Sequence, residues 1–268
     1  MHKKVKTALL FSGKLGDWKE CSKSIAENLL NVLEPDIFLS TWKGEYAQDF
    51  NRFYNPVVSE CIDFEKTMKL LKPNDLAYQP NAGLIPMLAG MKCVHSLYRE
   101  YEEINQKKYD LIIRIRPDVQ VLETIDKKQI EECIKLKYIT LPLFESDNIY
   151  NHEEEMKKEF SFSFVYDKAS LPNQVNDQFA VGHPDEMDKY MNSILRVGEA
   201  IEKLWNEGYP EYMIKVPESV ITTCLNLQGC KYKQLKGTNS FGNIKTILCK
   251  NGKKWRNQGH HSTELNKI

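Results

Sequence analysis

Val5-Lys6-Thr7-Ala8-Leu9-Leu10-Phe11 runs into Ser12-Gly13-Lys14-Leu15-Gly16-Asp17, and some twenty residues later Asp36-Ile37-Phe38-Leu39-Ser40-Thr41-Trp42 follows. The first run is short, apolar and stopped by Ser-Gly, which reads as a buried strand. Between the two runs Trp18, Cys21, Ile25, Leu29 and Leu33 recur at three- and four-residue steps, the apolar stripe of a helix. Asp17 is placed to cap it, and Pro35 forbids its continuation. Strand, helix and strand within about forty residues outline a βαβ unit with parallel strands.

The same alternation continues outward. A weaker strand is expected around 56–64, and a helix over 84–103 with Pro86 in its first turn. Tyr109-Asp110-Leu111-Ile112-Ile113-Arg114-Ile115-Arg116-Pro117-Asp118 is the clearest strand of the chain. A helix over 127–136, strands over 138–143 and 179–182, and a helix from Pro184 to about Trp205 come next. His183 reads as that helix's cap. A helix over 217–228 and a strand over 230–235 complete the pattern, while 144–174 loses periodicity and reads as a loop. Alternating strands and helices imply an α/β sandwich of the Rossmann type, with a mostly parallel central sheet flanked by helices. One domain over 1–236 and a basic tail over 237–268 are expected.

Composition narrows the function classes. Of 268 residues, 41% are hydrophobic and 28% charged, as in globular chains. Lys+Arg and Asp+Glu are 37 each, so the net charge is zero and nucleic acid is not an expected partner. No apolar run approaches the ~20 residues that cross a bilayer, and 5–11 is too short for a secretory signal. The expectation is a cytoplasmic protein. Seven scattered cysteines form no Cys-x-x-Cys pair and read as reduced thiols. From Lys231 onward nine Lys/Arg stand against Glu264 alone, an excess suited to a solvated tail, phosphates or anionic lipid.

Ligands of open α/β sheets sit at the carboxyl ends of strands, so candidate residues are sought there. After the first strand, Ser12, Gly13 and Lys14 open a turn whose glycines admit close backbone approach and whose helix start favours anions. The order is neither a Walker A loop nor Gly-x-Gly-x-x-Gly. In the 109–118 strand, Leu111, Ile113 and Ile115 alternate onto one face, and Ile112, Arg114, Arg116 and Asp118 onto the other. Charges inside a sheet need partners, either each other or a bound diphosphate, which the arginine fork suits. Asp118, at the carboxyl end, is a candidate ligand for Mg²⁺ or Mn²⁺. Asn176-Asp177-Gln178 precedes the 179–182 strand and suits a pocket edge, with Asp177 able to bind hydroxyls or act as a base.

The stretches 8–13, 35–42, 109–118 and 176–182, in this order, resemble bacterial glycosyltransferases of surface-polysaccharide loci, over about residues 5–225. The resemblance implies the glycosyltransferase A-type fold, a nucleotide-sugar donor and a glycan or lipid-linked acceptor, worked on at the inner face of the membrane with the basic tail as a contact. It implies that Ser12, Gly13 and Lys14 lie by the nucleotide and gives catalytic roles to Asp177 and Gln178; Arg114, Arg116 and Asn176, by their charge and place, are further candidate contacts to the nucleotide-sugar. Asp118 stands where the family's Asp-x-Asp metal motif ends, so Mn²⁺ or Mg²⁺ is the implied cofactor. Arg116 stands in place of the motif's first Asp and could replace part of the cation's charge. Alternative readings are a nucleotidyl or phosphoryl transferase on a similar sheet, and a non-catalytic binder of nucleotide-sugars or glycans.

Overall fold

The computed structural model of the chain describes residues 4–44, 46–70, 83–121, 124–142, 175, 178–214, 216–235, 240–241, 244–250 and 253–256. The βαβ start forms as read. β1 (Thr7–Ser12) leads into α1 (Trp18–Ile25), a π-helical turn (Ala26–Leu30) and α2 (Asn31–Leu33). Glu34 takes a left-handed conformation before Pro35, and β2 (Asp36–Trp42) returns parallel to β1. Asp17 precedes α1 but its side chain makes no cap bond there. α3 (Ala47–Tyr54), β3 (Val58–Ile62), α4 (Phe64–Leu70) and α5 (Leu84–Ile104) follow.

The strand expected over 109–118 is shorter. β4 is Leu111–Ile115; Pro117, with no N–H to give a neighbour, ends it, and Arg116 and Asp118 fall in the turn before β5 (Val119–Val121). α6 (Lys127–Leu136) is capped by Asp126, which accepts the Lys128 N–H. β6 (Ile139–Pro142) and β7 (Phe179–Gly182) come next. The single helix expected from Pro184 to Trp205 is instead α7 (Pro184–Met191), a 3₁₀ turn (Ser193–Arg196) and α8 (Val197–Asn206). One local and one tertiary bond meet at the break. Asn192 turns its side-chain amide back onto the Asp188 carbonyl at 2.7 Å, and Lys92 of α5 holds the Asn192 oxygen at 2.5 Å. α9 (Glu211–Ile214), α10 (Pro217–Leu227) and β8 (Tyr232–Leu235) complete the main body.

Seven strands form one sheet in the order β3-β2-β1-β4-β7-β6-β8. All run parallel except β7, which is antiparallel to both neighbours. The expected α/β sandwich with a mostly parallel sheet is therefore what the chain forms. Its inner strands are apolar on both faces because helices cover both. Ala8, Leu10, Phe38 and Ile112 face α5, α7, α8 and α10; Leu9, Phe11, Leu39, Ile113 and Ile115 face α1, α3 and α6. Gly182 lets β7 approach β6: a Cβ there would lie 2.7 Å from Ile139 Cα.

A second, four-stranded sheet joins β5 to β10 (Ile244–Lys250), which pairs with β9 (Ser240–Phe241) and β11 (Lys253–Arg256). Part of the basic stretch 237–268 is thus strand, joined to the segment that follows Asp118. Among the described residues no helix is long and apolar enough to cross a membrane. Cys21, Cys61, Cys93, Cys133, Cys224 and Cys230 are free thiols.

Candidate functional site

The carboxyl ends of β1 and β2 lie side by side, Ser12 opposite Ser40. After Ser12 the chain turns through Gly13 (φ 116°) and Gly16 (φ 32°), conformations that glycine adopts without strain. Gly13 is tied to β2 on both sides. Its N–H donates to the Ser40 carbonyl at 3.3 Å, and its carbonyl accepts the Thr41 hydroxyl at 2.8 Å. Beside the two strand ends lies an open hollow of about 340 Å³ lined by Lys14, Leu15, Gly16, Thr41, Trp42, Lys43, Gly44 and Tyr46.

The chemistry of this lining is mixed by design of the strand ends. Trp42 stacks edge-on against Phe64, ring centres 5.0 Å apart, while the Tyr46 ring is 48% exposed. Two cations share the space. Lys14 has no ion-pair partner among the described residues, whereas Lys43 pairs with Asp63 at 3.6 Å. The Lys66 amide N–H, with Lys43 adding its charge, holds the Asp63 carboxyl below the usual carboxylate range. Aromatic faces beside mobile cations suit a flat heterocycle carrying phosphate.

One strand further along the same edge is β4. Arg114 is only 1% exposed and lies on the α5 side of the sheet, its Nε donating to Ser12 Oγ at 3.2 Å. Gly90 of α5 faces the same spot: a Cβ there would lie 3.8 Å from Ser12 Cβ and 3.7 Å from the Gly13 nitrogen. In the turn beyond β4, Arg116 grips Asp118 through two parallel bonds, at 3.0 and 2.8 Å. The Arg116 backbone N–H donates to the Gln178 carbonyl at 3.1 Å, which brings Gln178 beside the pair. Asn176 and Asp177 lie outside the described residues.

The structure brings some of the sequence-predicted residues together and keeps others apart. Ser12 and Arg114 touch; Arg116, Asp118 and the Gln178 backbone touch; Lys14 lines the cavity. Arg114 does not share a strand face with Arg116 and Asp118, because β4 ends first. His183 is the cap expected of it, its Nδ1 accepting the Asp185 N–H at 3.2 Å. Burial pushes that imidazole down, against the pull of Asp185. Sequence reasoning missed Thr41, Lys43 and Tyr46, and took Trp42 only as a strand end. An aromatic-Lys-Gly run closing the second parallel strand, beside the first strand's glycine turn, is the signal that could have found them.

The donor set around Asp118 bears on the implied cation. Both carboxylate oxygens accept from Arg116, and no three His, Cys, Asp or Glu side chains gather together among the described residues. A divalent ion needs several free oxygens. The described residues therefore do not fit one, and the chemistry below is built from protein groups alone.

No family model matches the chain, and no curated protein matches it in sequence. Among solved structures it is similar to the apo form of mouse xyloside xylosyltransferase 1, at 11% identity and a TM-score of 0.41, over 86% of this chain and 84% of that one. It is also similar to the mannosyltransferase Ktr4p from S. cerevisiae, at 13% identity and a TM-score of 0.44, over 91% and 70% of the two chains. The same enzyme in complex with GDP gives 13% and 0.45, over 91% and 71%. Resemblance this distant leaves the chemistry to the residues themselves.

Proposed function

We propose that the protein is a glycosyltransferase that takes a sugar from a nucleotide-sugar donor. The observation that carries this reading is the 340 Å³ cavity at the joined carboxyl ends of β1 and β2, with Trp42 and Tyr46 for a base and Lys14 and Lys43 for its phosphates. In this reading the donor lies along the sheet edge. Its base occupies the aromatic end, its diphosphate crosses the Gly13–Gly16 turn, and its sugar points toward Arg116, Asp118 and Gln178.

The mechanism follows from where charge develops. Transfer separates a nucleoside diphosphate from a cation-like sugar, so the leaving oxygen gains negative charge in the transition state. Fixed positive groups lower that barrier more than they stabilise the bound donor. Arg116, held rigid by Asp118, and the buried Arg114 are assigned this role, and Lys14 the role of anchoring the diphosphate. Asp177 and Gln178 are assigned to the reacting sugar, and Asn176 to the donor. The acceptor is a growing glycan or lipid-linked saccharide, the setting bacterial surface-polysaccharide synthesis at the inner face of the membrane.

A thermal-shift series over nucleoside diphosphates and nucleotide-sugars tests the donor class, because a ligand that binds only the folded chain raises its melting temperature. The expected result is stabilisation by one nucleoside diphosphate and its sugar conjugates, followed by release of that diphosphate when acceptor is present. Absence of any shift across the series sinks the proposal. Release of a sugar 1-phosphate instead, with the nucleoside monophosphate passing to the acceptor, would assign nucleotidyl transfer, and binding without turnover a non-catalytic role.

A further inference from the structure

Thr41 is buried at the end of β2, and among the described residues its side chain makes one bond, to the Gly13 carbonyl at 2.8 Å. A trans peptide sets a carbonyl and the next N–H in opposite directions. Fixing the Gly13 carbonyl on Thr41 therefore fixes the direction of the Lys14 N–H, and with it the start of the 14–16 segment. Among the described residues no group accepts the amide hydrogens of Lys14, Leu15 or Gly16. All three residues line the cavity, as does Thr41 itself. Successive free amides in a glycine turn form a concavity that holds anionic oxygens.

We propose that Thr41 is the positioning residue of this cavity: through the Gly13 carbonyl, its hydroxyl holds the 14–16 amides in the orientation that receives a diphosphate. This rests on the nucleotide reading of the cavity and adds to it a residue whose hydroxyl acts through the Gly13 carbonyl. A bond that merely stabilised the fold would be felt by every ligand equally. A bond that orients amides is felt by phosphate and not by the base.

The test uses the full chain and isothermal titration with UDP and GDP, each beside its nucleoside, uridine or guanosine. T41V keeps the side-chain shape and removes the hydroxyl; T41S keeps the hydroxyl. The expected result is diphosphate binding about tenfold weaker in T41V and within about twofold of the parent in T41S, with nucleoside affinity the same in all three. In turnover the T41V loss should sit in KM rather than kcat. T41A supplies the same arm if T41V does not fold, since it adds no second methyl against the Gly13 carbonyl. Equal losses for nucleoside and diphosphate, or unchanged diphosphate binding without the hydroxyl, overturn the role of Thr41 alone. A parent protein that binds none of UDP, GDP, ADP, CDP and dTDP overturns the nucleotide reading, and this role with it.

Discussion

Arg116 and Asp118 form a fork-to-fork pair two residues apart, Nε to Oδ1 at 3.0 Å and Nη2 to Oδ2 at 2.8 Å, in the turn that closes β4. Such a pair is half-shielded, with the Arg116 and Asp118 side chains 31% and 17% exposed. Its planar geometry restricts the guanidinium to one orientation. On the proposed function this pair presents a fixed cation to the donor, and an ion pair that keeps contact with solvent contributes little to holding the turn together.

Removing either partner should therefore cost function more than fold. R116A and D118N are each expected to cut sugar transfer by at least roughly tenfold, the loss of about one charge-assisted contact in the transition state. Melting temperatures should stay within about 3 °C of the parent. Steady-state rates beside thermal melts decide it, and full activity in either purified variant removes the pair from the reaction.

Metal removal should change little. With both Asp118 oxygens taken by Arg116, affinity for a nucleoside diphosphate is expected to be the same within about twofold in EDTA and in millimolar Mn²⁺. Titration calorimetry in the two buffers measures this. A gain of about tenfold or more with Mn²⁺ would mean that carboxylates outside the described residues, Asp177 first among them, complete a cation site around Asp118.

Trp42 and Lys14 line one cavity but should fail differently. W42A removes a stacking face, worth about 1–3 kcal/mol per base, and should weaken a nucleoside and its diphosphate alike. K14A should leave the nucleoside untouched and weaken the diphosphate, with the loss fading as salt is raised. Titrating both ligands at two ionic strengths separates the contributions. A W42A effect limited to the diphosphate would move the base out of the aromatic end.

What could be read in the sequence was local. β2, α6 and β7 run Asp36–Trp42, Lys127–Leu136 and Phe179–Gly182, the expected bounds, because each is an unbroken pattern with its own stop signal nearby. At the interruption Asn192 bonds Lys92, a hundred residues earlier in the chain, a contact that no local pattern shows. The pairing of β5 with β10, Val119 opposite Leu248, is likewise a contact that no periodicity encodes. The site divides the same way. Gly13, Lys14 and Arg114 announced themselves as charge or glycine at a strand's end. The aromatic wall did not, since Trp42 and Tyr46 reach Lys14 only once β2 lies against β1.

Asp188 should make stability depend on acid pH. It sits between α7 and α5, accepting from His95 Nε2 at 2.8 Å, from Tyr98 at 3.3 Å and from both arms of Arg99, whose Nη1 also bonds the buried Glu102 at 2.5 Å. Burial would raise this carboxyl, but the hydrogen bonds from His95 and Arg99 and the Arg99 charge outweigh it, and the group is held below the usual carboxylate range. A carboxyl that is harder to protonate folded than unfolded stabilises the fold at every pH above its unfolded value, about 3.9, and loses that contribution as pH falls through its lower folded value. D188N keeps the shape but cannot ionise. It is expected to be less stable than the parent by about 2 kcal/mol at pH 7, with Arg99 left short of a partner. The gap between parent and variant should hold constant down to about pH 5 and narrow below about pH 4. Urea unfolding of both proteins from pH 7 to pH 3 measures it, and a gap that stayed constant to pH 3 would show that ionised Asp188 does not clamp α7 to α5.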